Sequence, residues 1–236
     1  MRTKAEIRQG IWDSMKRNGV ARSPGAHGRI PNFEGAEAAA RRLSQLELWK
    51  MADVLKCNPD SPQRPVREAA LHQGKIVYMA VPRLRERRCF VELDPARLGK
   101  IVSRAATIKG AFRYGHLMAL DDMRPIDMVI AGSVAVNREG GRVGKGGGYS
   151  DLEYALGRTF GLIDETTPVV TTVHASQVLE ESLPQVIHDI PVDYVITPEG
   201  VIETHHRLTK PEGIYWELLP EEKIAAIPIL QKLRSL

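Results

Sequence analysis

Cysteine is nearly absent. The 236 residues hold two, Cys57 and Cys89, and their separation fits neither a metal-ligand spacing nor a disulfide framework. Two free thiols in a reducing cytoplasm are expected. Long apolar runs are also missing: none approaches the ~20 residues a membrane helix needs. The charged start Arg2-Thr3-Lys4-Ala5-Glu6 leads into no signal-peptide stretch. Charge of one sign is not in excess, with 33 Lys and Arg against 29 Asp and Glu. A net charge of +4 gives no argument for nucleic acid and suits a local pocket for an anionic small molecule equally well. The basic clusters Arg41-Arg42 and Arg85-Glu86-Arg87-Arg88 lack interleaved aromatics and lie among acids, so they read as solvated surface. These absences predict a cytoplasmic chain without nucleic-acid or membrane partners; a small-molecule substrate and a monomer or homodimer are the accompanying expectations.

What is present is an ordinary globular composition, 43% apolar and 26% charged. With no repeat, low-complexity segment or convincing linker, one domain over residues 1–236 is the simplest organisation. Ile7, Ile11 and Met15 recur every four residues and predict a first helix stopped by Gly19. Residues 20–35 are loop-like, broken by Pro24, Gly25, Gly28, Pro31 and Gly35. A helix from about Ala36 to Leu55 is expected next. Another starts with Pro65 in its first turn and stops at Gly74.

From Lys75 the period changes. The run Ile76–Val81 is short, apolar and partly β-branched, as are Ile126–Ala131, Val169–Val173 and Val192–Thr197. Helical patterns lie between them, notably Asp151–Phe160. This alternation predicts an α/β fold: an open, mostly parallel sheet with helices on both faces, in three layers. Val201–Thr204 is expected to return as an antiparallel edge strand, and a final helix to run from about Pro220 to Leu233. His205-His206 reads as an exposed pair on that edge and is assigned no role.

The most informative segment is Asn137–Glu153. Six glycines and the cations Arg142 and Lys145 stand between a strand and a helix start, and Ser150-x-x-Glu153 has the form of a capping box. Glycines let backbone N–H groups approach a phosphate, and a helix start adds unpaired donors and a favourable dipole. Arg142 and Lys145 would supply mobile positive charge. Asn137–Gly141 alone would be a simple turn. Three consecutive glycines are costly to order, which favours a bare backbone kept for a phosphate or nucleotide. No Gly-Lys-Ser/Thr closes the loop as in a Walker A motif, and the dinucleotide fingerprint register is absent.

The stretch Gly141-Arg142-Val143-Gly144-Lys145-Gly146-Gly147-Gly148-Tyr149-Ser150-Asp151 resembles the signature of the 5-formyltetrahydrofolate cyclo-ligase family. Asp127–Ala135 and Glu181–Thr197, with its His188-Asp189 pair, are similar to further family blocks. Lys4-x-x-x-Arg8 has the spacing of the family's N-terminal basic pair, and Arg64–Leu71 resembles its Arg-Pro helix. The likeness covers roughly residues 1–20 and 55–205. It implies a fold related to sugar-phosphate isomerases and CoA transferases. It also implies conversion of 5-formyltetrahydrofolate to 5,10-methenyltetrahydrofolate with ATP and Mg²⁺. A formamide oxygen leaves poorly, so a phosphoryl group is placed on it before the folate N10 attacks. Such chemistry asks for positioning and charge neutralisation.

By this resemblance Lys4, Arg8, Arg142 and Lys145 contact ATP phosphates, beside the amides of Gly144, Gly146, Gly147 and Gly148. Asp151 helps to hold Mg²⁺, Tyr149 lines the site, and Lys145 and Tyr149 carry the catalytic part. Read without the resemblance, Lys4 and Arg8 would be a solvated helix face, Asp151 a helix-start charge and His188 a structural histidine.

The sequence also departs from the family. Ser150 replaces the second signature tyrosine. Asp60-Ser61-Pro62-Gln63 stands where the family carries a pterin-reading Glu, leaving Asp60 as the shorter substitute. Residues 20–50 and the tail from about 206 do not follow the usual pattern. Gly28–Ala36 and Gly213–Trp216 look like a divergent branch of the family, argued to lack cyclo-ligase activity and to have a link to thiamine metabolism. Three readings therefore stand: a cyclo-ligase, a nucleotide-using enzyme of another heteroaromatic substrate, or a non-catalytic protein that kept the nucleotide pocket.

Overall fold

A computed structural model describes residues 2–235. Its strands are β1 (Val54–Cys57), β2 (Ile76–Ala80), β3 (Phe90–Leu93), β4 (His116–Met118), β5 (Met128–Ile130), β6 (Ala135–Asn137), β7 (Arg142–Val143), β8 (Val169–Thr172), β9 (Val178–Leu179), β10 (Tyr194–Ile196) and β11 (Val201–Glu203). The helices are α1 (Lys4–Arg17), α2 (Ala36–Leu43), α3 (Glu47–Met51), α4 (Arg64–His72), α5 (Pro95–Leu98), α6 (Val102–Ala105), α7 (Ile108–Tyr114), α8 (Tyr149–Thr159), α9 (Glu221–Ala226) and α10 (Pro228–Arg234).

Eight strands form the main sheet in the order β11-β10-β8-β5-β1-β2-β3-β4. The pairs from β10 through β2 are parallel, while β3, β4 and β11 add antiparallel edges. Three short strands make a second sheet, β7-β6-β9. Neighbouring residues of each central strand point to opposite faces, so the core is double. Leu55, Val77, Met128 and Val170 pack on one side with α1, α2 and α4. Val54, Tyr78, Val129 and Val169 pack on the other with α8, α9 and α10. The expected three-layer α/β architecture is thus present, including the antiparallel edge strand β11.

Several expected elements differ. The helix read over Ala36–Leu55 is two helices, α2 and α3, followed by the central strand β1. The apolar positions of residues 52–57 are compatible with a helix in isolation. What makes them a strand is pairing with β2 and β5, both far downstream in the chain. The final helix is broken in two at Pro228, whose ring cannot continue the preceding turn. The Ser150–Glu153 capping box does not form. Gly148 in the left-handed region starts α8, while Ser150 and Glu153 turn to Asn58 instead.

Helix α1 shows how the sequence positions the site. Thr3 and Glu6 form a capping box at its start. Ile7, Ile11 and Met15 are buried in the core, each contributing ~1.5–3 kcal/mol. That fixed stripe leaves Lys4 and Arg8 facing β7 and the residues around Asp189.

Candidate functional site

Carboxyl ends of parallel strands leave a crevice where consecutive connections diverge to opposite sides of the sheet. Here β1 continues to β2 on one side and β5 to β8 on the other, so the crevice lies over the ends of β1 and β5. Asn58, directly after β1, organises it. Its Oδ1 accepts from Gly132 N at 2.9 Å and from Ser150 Oγ at 3.0 Å, and its Nδ2 donates to Glu153 Oε2 at 2.9 Å. Glu153 also faces Lys56 Nζ at 2.5 Å, both side chains being buried. This network ties the start of α8 to the end of β1.

The glycine segment emerges between β7 and α8. Lys145, Gly146, Gly147 and Gly148 are exposed, so their backbone N–H groups can meet a ligand. Gly146 (φ +107°) and Gly148 (φ +63°) occupy the left-handed region, which glycine enters without steric cost. The Lys145 ammonium lies 3.2 Å from Asp60 Oδ1. The structure therefore joins the residue expected at the phosphate with the one expected at the substrate. Both amide atoms of the Gln63 side chain, fully buried beside Gly132, have no partner among the described residues.

Arg142 corrects the sequence reading. It is not mobile but buried, and its guanidinium is used up by the fold. Nε donates to Ile190 O at 3.2 Å, Nη1 to Gly132 O at 2.9 Å and Nη2 to Asp151 Oδ1 at 2.5 Å. It positions the corner from behind. Lys4 pairs with Asp189, the acidic member of the His188-Asp189 pair noted in the sequence. Arg8 donates from Nε to Gly144 O at 2.7 Å. Burial lowers the Arg8 pKa, against the opposing pull of Asp189. Thus Lys4 and Arg8 do converge on the corner, though each already has a partner.

Asp151 lines the cavity beside the corner. Burial pushes its pKa up, but Arg142, the Ile190 N–H and Lys4 together hold it below the usual carboxylate value. Its Oδ1 is occupied, while Oδ2 accepts no hydrogen bond among the described residues. Those residues contain no group of three or more His, Cys, Asp or Glu that could hold a metal ion together. Mg²⁺ commonly takes one or two carboxylates and completes its shell with phosphate and water oxygens. Asp151 fits that limited role. The exposed amides and Lys145 likewise fit a phosphate chain.

A cavity of about 380 Å³ opens between the corner and the tail, with Tyr215, Leu218 and Lys223 among its walls. Lys223 carries no signal in the sequence. It sits on α9, donates to Gly147 O at 3.0 Å and lies 4.8 Å from the Tyr149 ring centre. Tyr149 is therefore beside the corner as expected, beneath a cation. His188 also borders the cavity. Of the His205-His206 pair, only His205 is exposed; the His206 side chain is buried and its Nε2 lies 3.0 Å from Asp193. Cys57 and Cys89 are buried and free. No helix among the described residues is long and apolar enough to cross a membrane.

These features define an open α/β protein with a glycine-lined corner at the carboxyl ends of its strands. Residues 1–198 match the model of the 5-formyltetrahydrofolate cyclo-ligase family, and the chain belongs to that family. It is 40% identical over 238 residues to the methenyltetrahydrofolate synthase domain-containing protein of Bos taurus, covering 98% of this chain and 62% of that protein. The corresponding protein of Homo sapiens is 38% identical over 239 residues, covering 99% of this chain and 62% of its own length. The chain thus spans about 62% of the length of these curated relatives. The solved 5,10-methenyltetrahydrofolate synthetase of Aquifex aeolicus shares the fold, with a TM-score of 0.55 and 22% identity over 86% of this chain and 93% of that one.

Proposed function

We propose that the chain is an ATP- and Mg²⁺-dependent cyclo-ligase that converts 5-formyltetrahydrofolate to 5,10-methenyltetrahydrofolate. The observation that carries this reading is the Lys145–Asp60 pair. One residue stands on the exposed glycine corner and the other shortly after β1, which brings the expected phosphate side within 3.2 Å of the expected substrate side. When bound, ATP supplies the phosphoryl group that makes the formyl oxygen a leaving group, with Mg²⁺ neutralising phosphate charge.

The chain's own contribution is placement and charge. The amides of Gly146–Gly148 and the Lys145 ammonium hold phosphate oxygens, donors that need no reorganisation at the moment of reaction. Arg142 and Asp151 fix the corner to β5 and to Ile190 from behind. Asp60 would orient the pterin, and Asp151, through the Oδ2 left free by Arg142 and Ile190, would help to hold Mg²⁺. Tyr149 closes the side of the site next to α8.

One observation favours a second reading. The Asp60 carboxylate is one methylene shorter than the family's Glu, which weakens it as a pterin reader. A nucleotide-using enzyme of another heteroaromatic substrate follows from that. Purified protein mixed with ATP, Mg²⁺ and 5-formyltetrahydrofolate decides between them by the near-ultraviolet absorbance of the methenyl product. Product formation supports the cyclo-ligase. ATP binding without product supports the second reading, and absence of ATP binding rejects both.

A further inference from the structure

The match to the family ends at residue 198, yet the cavity beside the glycine corner is built half from later residues. Its walls on the α8 side are Leu152 and Ala155. On the opposite side stand Ile214, Tyr215 and Leu218. These are apolar or aromatic surfaces on two independent elements, facing each other across about 380 Å³. That volume lies in the range of small-molecule sites, which are mostly apolar with a few placed polar groups. The cavity and the corner are continuous, because Gly146, Gly147 and Gly148 border both.

The polar groups sit at the corner end. Lys223 is held there by Gly147 O and by the face of Tyr149. A methyl group added at Gly148 would come within 3.1 Å of its Nζ. Its ammonium is half-buried, and burial lowers its pKa despite Asp151 nearby. A cation held beside bare amides, with an apolar chamber behind it, matches a ligand that is anionic at one end and flat and uncharged at the other.

We infer that the tail-walled cavity takes the base of the nucleotide whose phosphates rest on the glycine corner, and that Lys223 is a phosphate-binding residue supplied by the tail. This rests on the nucleotide reading above and adds the location of the base and a cation from outside the family match. Lys223 gives up one carbonyl acceptor, Gly147 O, and gains phosphate oxygens, a stronger charge-assisted contact. The tail thereby acts in specificity, since a phosphate chain without a base gains nothing from Tyr215 and Leu218.

The test is calorimetric titration of the full chain with ATP and, separately, with inorganic tripolyphosphate. Wild type is expected to bind ATP at least tenfold more tightly than tripolyphosphate. Ala155→Leu fills the chamber and should erase that preference while leaving tripolyphosphate affinity unchanged. Leu218→Asn should do the same, without adding charge, from a residue that is 48% exposed, so its effect does not depend on repacking a buried helix. Lys223→Gln should weaken both ligands. Equal affinity of wild type for ATP and tripolyphosphate, both reduced by Lys145→Ala, overturns the base chamber and leaves the phosphate corner standing. An ATP preference that survives both wall variants also overturns it. Unchanged binding by Lys223→Gln removes that residue from the site. If wild type binds neither anion, the nucleotide reading fails and this inference fails with it.

Discussion

Arg142 gives all its guanidinium nitrogens to the protein's own oxygens, and Asp151 receives one of them at 2.5 Å. The pair is largely shielded, with side-chain exposures of 2% and 15%. Removing one partner would leave a buried charge without compensation, at a cost of ~3–5 kcal/mol. Asp151→Asn should therefore lower unfolding free energy by roughly that much at pH 7. Asp151 has its pKa held below the ordinary 3.8 in the folded state. Its contribution is therefore present above the unfolded value and is lost as pH falls through the folded value. Urea titrations along a pH series should show the gap between wild type and variant closing below that range. A gap that stays constant into strong acid would contradict the ion pair.

Lys145 should behave in the opposite way. Its ammonium is 47% exposed and its pair with Asp60 is a surface contact, of a kind worth ~0–1 kcal/mol. Lys145→Ala is expected to leave the urea midpoint nearly unchanged and to raise the ATP dissociation constant about tenfold or more, equivalent to ~1.4 kcal/mol. Unchanged ATP affinity in a folded variant would withdraw the phosphate assignment.

The legibility of the fold and the site in the sequence follows from how local each signal is. The corner is readable because its glycines, lysine and following helix lie close together in the chain, and α8 falls where its pattern places it, at Tyr149–Thr159. The same holds for α1, whose stripe of Ile7, Ile11 and Met15 is internal to one element. The central strand β1 is hidden. A lysine in its middle argues against a buried strand until Glu153, distant in sequence, is placed beside it. Arg142 reads as mobile for the same reason, because its partners Gly132 and Ile190 come from other segments. Glu92 in β3 is another case, buried and accepting from the Tyr78 hydroxyl at 3.0 Å across the sheet. Lys223 gives no signal at all, since an isolated lysine on a short polar helix is ordinary surface in one dimension.

Gly146→Ala tests the backbone of the corner. At φ +107° a side chain is strained, and the added carbon would lie 3.3 Å from the Arg8 guanidinium carbon. The Arg8 guanidinium beside it must give by a few tenths of an ångström, and the strained backbone disturbs the corner. ATP affinity should fall about tenfold or more, with a stability loss of only ~1–3 kcal/mol from the backbone strain. Retained affinity would mean that the glycines serve the turn and not a ligand.

Both cysteines should resist thiol reagents in the folded protein. Burial pushes the Cys89 thiol up to about 12 and raises that of Cys57 as well. The thiolate is the reactive form, so neither charge nor access favours reaction. Titration with a chromogenic disulfide should give almost no colour at pH 7 until denaturant is added. Rapid colour from the native protein would show that one of the two opens to solvent.

The buried group that links stability to the site is Glu153. It accepts from Asn58 at 2.9 Å and faces the Lys56 ammonium at 2.5 Å, while Asn58 in turn holds Gly132 N and Ser150 Oγ. Glu153→Gln keeps the shape but leaves Lys56 charged and uncompensated, so a loss of ~3–5 kcal/mol is expected. Replacing both partners by apolar groups of similar size, Lys56→Met with Glu153→Leu, removes the stranded charge and should recover much of that stability. It should not recover function. Without the carboxylate the Asn58 Nδ2 loses its acceptor and the amide is held through Oδ1 alone, so the anchor of Ser150 and the first turn of α8 to β1 loosens. The double variant is therefore expected to melt near the wild-type temperature while binding ATP more weakly. Wild-type affinity in a stable double variant would show that the corner holds its shape independently of the network beneath it.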